Sequence, residues 1–137
     1  MVPRIYVDFN DLGPQIGLGF SGTLRDLSIQ RIRLTHGMPL VLYDDDGDES
    51  MEVDAVVEYH PNTAFGPQMQ WRARVDESSV RRRPRTTGPN STFAIPCFRC
   101  SDDIYKQALD RKITGLDFKC EKCGGRVLEP FLPRSVL

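Results

Sequence analysis

The chain has no long hydrophobic run. None of its 137 residues belongs to a stretch approaching the roughly 20 apolar residues that a membrane span needs. The opening Met-Val-Pro-Arg-Ile lacks the apolar core of a signal peptide. No membrane is therefore expected, and the default location is the cytoplasm, where thiols stay reduced and paired cysteines suggest metal before disulfide. Histidine is scarce too. His36 and His60 stand beside Gly37 and Pro61, with no companion at ligand or triad spacing. Without a nucleophile–base–acid set or a carboxylate pair, the sequence disfavours catalysis. Lysine is missing altogether from the first 78 residues.

Charge is divided unevenly. Residues 1–78 set six arginines against thirteen acids, and residues 79–137 set twelve basic residues against six acids. The net charge of −1 thus hides an acidic half and a basic half, which marks two units with different surfaces. Between them, residues 77–92 (ESSVRRRPRTTGPNST) are polar, hold Pro84, Gly88 and Pro89, and show no apolar periodicity. That segment reads as a flexible basic linker, with the units at 1–76, 77–93 and 94–137.

Before the linker the pattern has period two. Ile5, Val7 and Phe9 alternate with polar neighbours, and Leu40 and Leu42 with Val41 and Tyr43. Met51, Val53, Ala55, Val57 and Tyr59 share one face, leaving Glu52, Asp54 and Glu58 on the wet one. Met69, Trp71, Ala73 and Val75 oppose Arg72 and Arg74, which are placed to pair with those acids. Residues 16–21 read as a Gly-rich strand, 24–27 as one helical turn and 30–34 as strand. Five or six short antiparallel strands predict a mainly β fold, a small β-barrel of SH3-like or OB-like topology.

Two motifs have bland readings. Gly17-Leu-Gly19-Phe-Ser-Gly22 matches G-x-G-x-x-G, but Gly13 and Pro14 stand where the buried strand of a dinucleotide fold should end. The run is taken as a bent strand. The acids at 44–49 look like part of a calcium loop, yet its twelfth position is Ala55, so they read as a solvated turn around Gly47.

The chemistry lies in the cysteines. Cys97-x2-Cys100 and Cys120-x2-Cys123 are 19 residues apart, close to the spacing of four-thiolate zinc sites. Two residues between sulfurs let one tight turn aim both at a single ion. Four thiolates fill a tetrahedral shell, so such a metal is structural; iron suits the same sulfur set. Gly124 and Gly125 let the backbone turn beneath a thiolate. The sequences "IPCFRC" and "DFKCEKCGG" resemble the two knuckles of a zinc ribbon, over residues 94–128. Between them, 101–113 reads as a short helix capped by Ser101, with a stripe of Ile104, Ala108, Leu109 and Ile113, ended by Gly115.

The expected protein is a non-catalytic zinc-binding adaptor or accessory subunit with Zn2+ on Cys97, Cys100, Cys120 and Cys123 and a protein as its partner. The resemblance adds that zinc ribbons commonly serve as docking surfaces. One alternative is nucleic-acid binding through Arg81, Arg82, Arg83, Arg85, Arg99, Lys119, Lys122 and Arg126. A second is a CxxC thiol-redox or electron-transfer protein. The oligomeric state is not legible.

Overall fold

The computed structural model describes residues 2–9, 13–46, 48–62, 66–84 and 94–134. Its five strands are β1 (Arg4–Tyr6), β2 (Gln15–Gly17), β3 (Pro39–Asp46), β4 (Glu49–Tyr59) and β5 (Trp71–Pro84). Helix α1 (Ser21–Gln30) lies between β2 and β3, and α2 (Ile104–Asp110) follows the sheet. The strands form one sheet in the order β1-β3-β4-β5-β2, curled into a half-barrel. No helix of the described residues is long and apolar enough to cross a membrane.

The sheet is mixed rather than antiparallel, because β1 runs parallel to β3. Alternation of apolar residues is the same in both arrangements, so it carries no information on direction. A parallel pair needs a long connection between its strands, and here that connection contains β2 and the ten residues of α1. Only one turn of helix was expected there. Leu24 and Leu27 supply the buried face, Thr23 donates its hydroxyl to the Tyr6 carbonyl at 2.8 Å, and Gly22 lies under the Tyr6 ring. A Cβ on Gly22 would come within 2.9 Å of that ring. The helix ends where Arg31 turns left-handed, with φ 54°, so the strand expected at 30–34 does not form.

Strands β3, β4 and β5 make a meander. The β4–β5 connection is closed by the His60 N–H on the Gln70 carbonyl at 2.7 Å, after a 3-10 turn at Pro67–Gln70. Trp71, Ala73 and Val75 are buried as their alternation requires, whereas Met69 falls in the 3-10 turn and is exposed. Strand β5 then continues to Pro84, so 77–84, the first half of the expected linker, belongs to a strand, and Arg81–Pro84 pair with β4. Residues 85–93, Arg85 among them, lie outside the described residues, as does Gly47.

A bulge makes that continuation compatible with the core. Glu52 is registered with Arg81 and Asp54 with Asp76, so four residues of β5 face the single residue Val53. The slack is held by Asp76, whose Oδ1 accepts from the Ser78 N–H at 3.1 Å and hydroxyl at 2.6 Å. The irregularity reverses the inside–outside phase of β4. Glu52 and Val53 are both buried, and Glu52 is not on the wet face as its parity with Asp54 implies.

The C-terminal part packs against the half-barrel. Trp71 Nε1 donates to the Phe131 carbonyl, and the Leu34 N–H donates to the Pro130 carbonyl at 3.0 Å. Leu128, Phe131 and Ile104 belong to the same buried cluster as Ile5, Leu40, Val57 and Trp71. The 3-10 turn Glu129–Phe131 is thereby a strap joining the cysteine-bearing segment to the sheet.

Candidate metal centre

Each cysteine pair sits on the same kind of turn. The Cys97 carbonyl accepts from the Ser101 N–H at 3.0 Å, and its N–H donates to the Asp102 carbonyl at 2.7 Å. In the second turn the Cys120 carbonyl accepts from the Gly124 N–H at 2.7 Å, and its N–H donates to the Gly125 carbonyl at 2.9 Å. Ser101 and Gly124 both take left-handed backbone, with φ of 68° and 69°. Short bridges flank the turns at equivalent places, Pro96 with Asp103 and Lys119 with Arg126. The two turns thus repeat one geometry. Ser101 forms the first turn rather than capping α2, a task that falls to Asp103, whose carboxylate accepts from the Lys106 N–H at 3.2 Å. Of the expected helical stripe, Ile104 and Ala108 are buried, while Leu109 is exposed.

The turns bring all four sulfurs within 4.8 Å of one another. Cys97 Sγ lies 3.7 Å from Cys123 Sγ, and Cys100 Sγ lies 3.6 Å from Cys120 Sγ. The thiols are free, since a disulfide would need about 2.05 Å. A tetrahedron with metal–sulfur bonds of about 2.3 Å has edges of about 3.8 Å, so the sulfurs already stand at the separation a single ion needs. These four residues could hold a metal ion.

Backbone donors surround them. The N–H groups of Arg99 and Cys100 serve Cys97, those of Lys122 and Cys123 serve Cys120, and that of Asp102 serves Cys100. The Gly125 N–H reaches Cys123 Sγ at 3.4 Å. Burial raises the Cys97 thiol. At Cys100 the Asp102 N–H pulls downward, but burial and the neighbouring sulfurs push the thiol up to about 12. At Cys120 burial is outweighed by the Gln107 amide and two backbone donors, which bring it down to about 6. Four sulfurs this close cannot all ionise without a cation to offset their mutual repulsion.

The site is tied to the sheet by charge. Arg99, next to Cys100, grips the buried Glu129 through Nη2 at 2.6 Å and Nε at 3.0 Å, and Arg33 adds a contact at 3.4 Å. The Arg99 hydrogen bond chiefly holds the Glu129 carboxyl below its usual range. From the end of α1, Arg31 donates to the carbonyls of Phe98 and Arg99, at 2.8 and 3.1 Å, and to the Ser101 hydroxyl at 3.0 Å.

The other expected site residues are dispersed. Lys119, Lys122 and Arg126 are exposed around the second turn. Arg81, Arg82 and Arg83 lie on β5 and face the acids of β4: Arg81 meets Glu52 and Asp54 at 3.3 and 3.1 Å, Arg83 meets Glu52 at 2.9 Å, and Arg82 meets Glu49 at 3.5 Å. The run 17–22 does join a strand to a helix, but β2 is a three-residue edge strand antiparallel to β5. His36 Nδ1 accepts the Tyr59 N–H at 3.1 Å, and Asp44 accepts the Phe9 N–H at 3.0 Å. Gln107 touches the Cys120 sulfur, yet no cysteine spacing points to it; its only sequence signal is a polar residue beside Ala108 on a helix with one apolar face. Compared with known proteins, the chain matches no family model, no curated protein and no solved structure.

Proposed function

We propose that Cys97, Cys100, Cys120 and Cys123 hold one structural zinc ion in a zinc-ribbon-like module, and that the protein is a non-catalytic adaptor or accessory subunit. The reading rests on the sulfur geometry: four thiols from two repeated turns, with cross-turn separations of 3.6 and 3.7 Å. When bound, the ion would offset half of the charge of four thiolates and fix the turns; with four sulfur ligands it has no position for a reacting water. A binding role is supported by large apolar side chains left at the surface. Phe20, next to Gly19 in the chain, and Met69, whose Sδ would lie 3.1 Å from a Cβ placed on Gly19, are both exposed, and Tyr105 and Leu109 are one turn apart on α2.

The test is elemental analysis of reduced, full-length protein, followed by affinity capture with metal-loaded protein. One zinc per chain and a captured protein partner are expected. Less than half an equivalent of any metal would overturn the metal reading, and one equivalent of iron would replace zinc. Nucleic-acid binding is less well supported, because three of its eight proposed contacts are engaged with β4 carboxylates. Titrating labelled DNA and RNA at low and moderate salt should show no salt-dependent binding at tens of micromolar; steep salt-dependent binding would instead favour that reading.

A further inference from the structure

Gln107 is a buried polar side chain, 4% exposed, and all three of its hydrogen bonds run to the cysteine turns. From α2, Nε2 donates to Cys120 Sγ at 3.3 Å and to Asp102 Oδ2 at 2.7 Å. Oε1 accepts the Glu121 N–H at 3.0 Å. Asp102 belongs to the first turn, where its carbonyl receives the Cys97 N–H and its own N–H serves Cys100. Glu121 lies inside the second turn, between Cys120 and Cys123. One planar amide therefore spans both turns.

The backbone donors come in matched sets, two for the first sulfur of each turn and one for the second. The Gln107 bond to Cys120 has no counterpart at Cys97, which breaks the symmetry of the site. An amide is required for all three contacts together, since it has donor and acceptor fixed in one plane. Methionine would fill the space with neither. Glutamate would turn acceptors toward a thiolate and the Asp102 carboxylate, where like charges repel.

We propose that Gln107 is the positioning residue of the metal centre: it sets the two cysteine turns at metal-binding separation and withdraws electron density from the Cys120 sulfur. This rests on the metal reading above. Outer groups that orient ligands typically contribute 10–100-fold to metal affinity.

The experiment uses the full chain, with Zn2+ affinity measured against a chromophoric chelator and with Co2+ as a spectroscopic stand-in. Gln107→Met should bind zinc 10–100-fold more weakly. Its sulfur-to-cobalt charge-transfer band should move to longer wavelength, because a sulfur relieved of its N–H bond gives up an electron more easily. Gln107→Glu should lose more affinity than Gln107→Met. Unchanged affinity and an unshifted band in Gln107→Met would overturn the proposal while leaving the metal site intact. A wild-type chain that takes up neither ion would overturn both. Should Gln107→Met fail to fold, wild-type protein loaded with 113Cd decides the matter. A scalar coupling from the cadmium to the Gln107 side-chain amide proton is expected, and its absence beside coupled backbone amides of the turns would overturn the proposal.

Discussion

Gly124 and Gly125 follow the same cysteine, but each is glycine for a different reason. Gly124 has φ 69° and open space where a Cβ would stand. Gly124→Ala should therefore cost only backbone strain, about 1–2 kcal/mol, and leave metal affinity nearly unchanged. At Gly125 a Cβ would lie 2.7 Å from Arg99 Cδ and 3.2 Å from Cys123 Sγ. Gly125→Ala must displace an arginine anchored on Glu129 and press on the Cys123 sulfur, so it should weaken both metal binding and stability. Thermal melts paired with zinc titrations separate the two; equal effects would refute the distinction. Glu52 offers a second test at this scale. Burial would raise its carboxyl, but the Arg4 hydrogen bond at 2.6 Å, with Arg81 and Arg83, lowers it overall. A folded value below the unfolded one means stability that is complete above the ordinary range near about 4.3 and is lost as pH falls through the lower value. Glu52→Gln should thus cost about 1.5–3 kcal/mol at neutral pH, and its stability should decline less steeply on acidification than that of the wild type. Parallel acid limbs in denaturant melts would show that the carboxylate is not held in this way.

Among the elements, the strap Glu129–Phe131 connects the cysteine cluster to the sheet. Trp71 is buried at 2% exposure and stacks near Tyr59, with ring centroids 4.7 Å apart. Its indole N–H satisfies the carbonyl of the buried Phe131. Trp71→Phe preserves an aromatic ring and strands that carbonyl, which should cost about 1–3 kcal/mol; Trp71→Ala should cost about 3–5 kcal/mol. Chemical denaturation gives both numbers, and a neutral Trp71→Phe would show that the bond is dispensable. The burial of Trp71 was legible because Ala73 and Val75 keep its parity. The position of Glu52 was not, because a parity argument fails at a bulge and nothing at Glu77–Val80 announces one in composition. Polar Ser78 and Ser79 look like a linker until Asp76 is seen to gather them. Helix α1 was half hidden for a related reason: Gly22 and Thr23 have poor helix propensity, and only the Tyr6 ring and carbonyl explain them. The gathering of the four cysteines was legible from their spacing, whereas the place of Gln107 was not, since it depends on how α2 crosses both turns.

At the scale of the whole molecule, the sequence predicts separable units, but one buried cluster contains Ile5, Trp71, Ile104, Cys120 and Phe131 together. If that continuity governs stability, removing the metal should weaken the sheet as well as the cysteine turns. Chelation, or Cys120→Ser, is therefore expected to lower a single melting transition followed by both tryptophan fluorescence and β-sheet circular dichroism. Two separate transitions, with only the later residues melting early, would instead support independent units. The charge division has a corresponding meaning, since Arg81, Arg82 and Arg83 return positive charge to an acidic sheet of which they are part.

The strap also dictates an order of events during synthesis. The β3–β4–β5 meander joins near neighbours and can pair as soon as residue 84 has emerged. Its core cannot close then, because Trp71 awaits Phe131, sixty residues later, and Arg33 awaits Glu129, ninety-six residues later. Contacts of such sequence separation slow folding and leave an apolar sheet face uncovered in the meantime. A nascent chain released before residue 129 would carry a paired sheet with an open face, which makes the emergence of Glu129–Phe131 the step that separates a closed core from an aggregation-prone one.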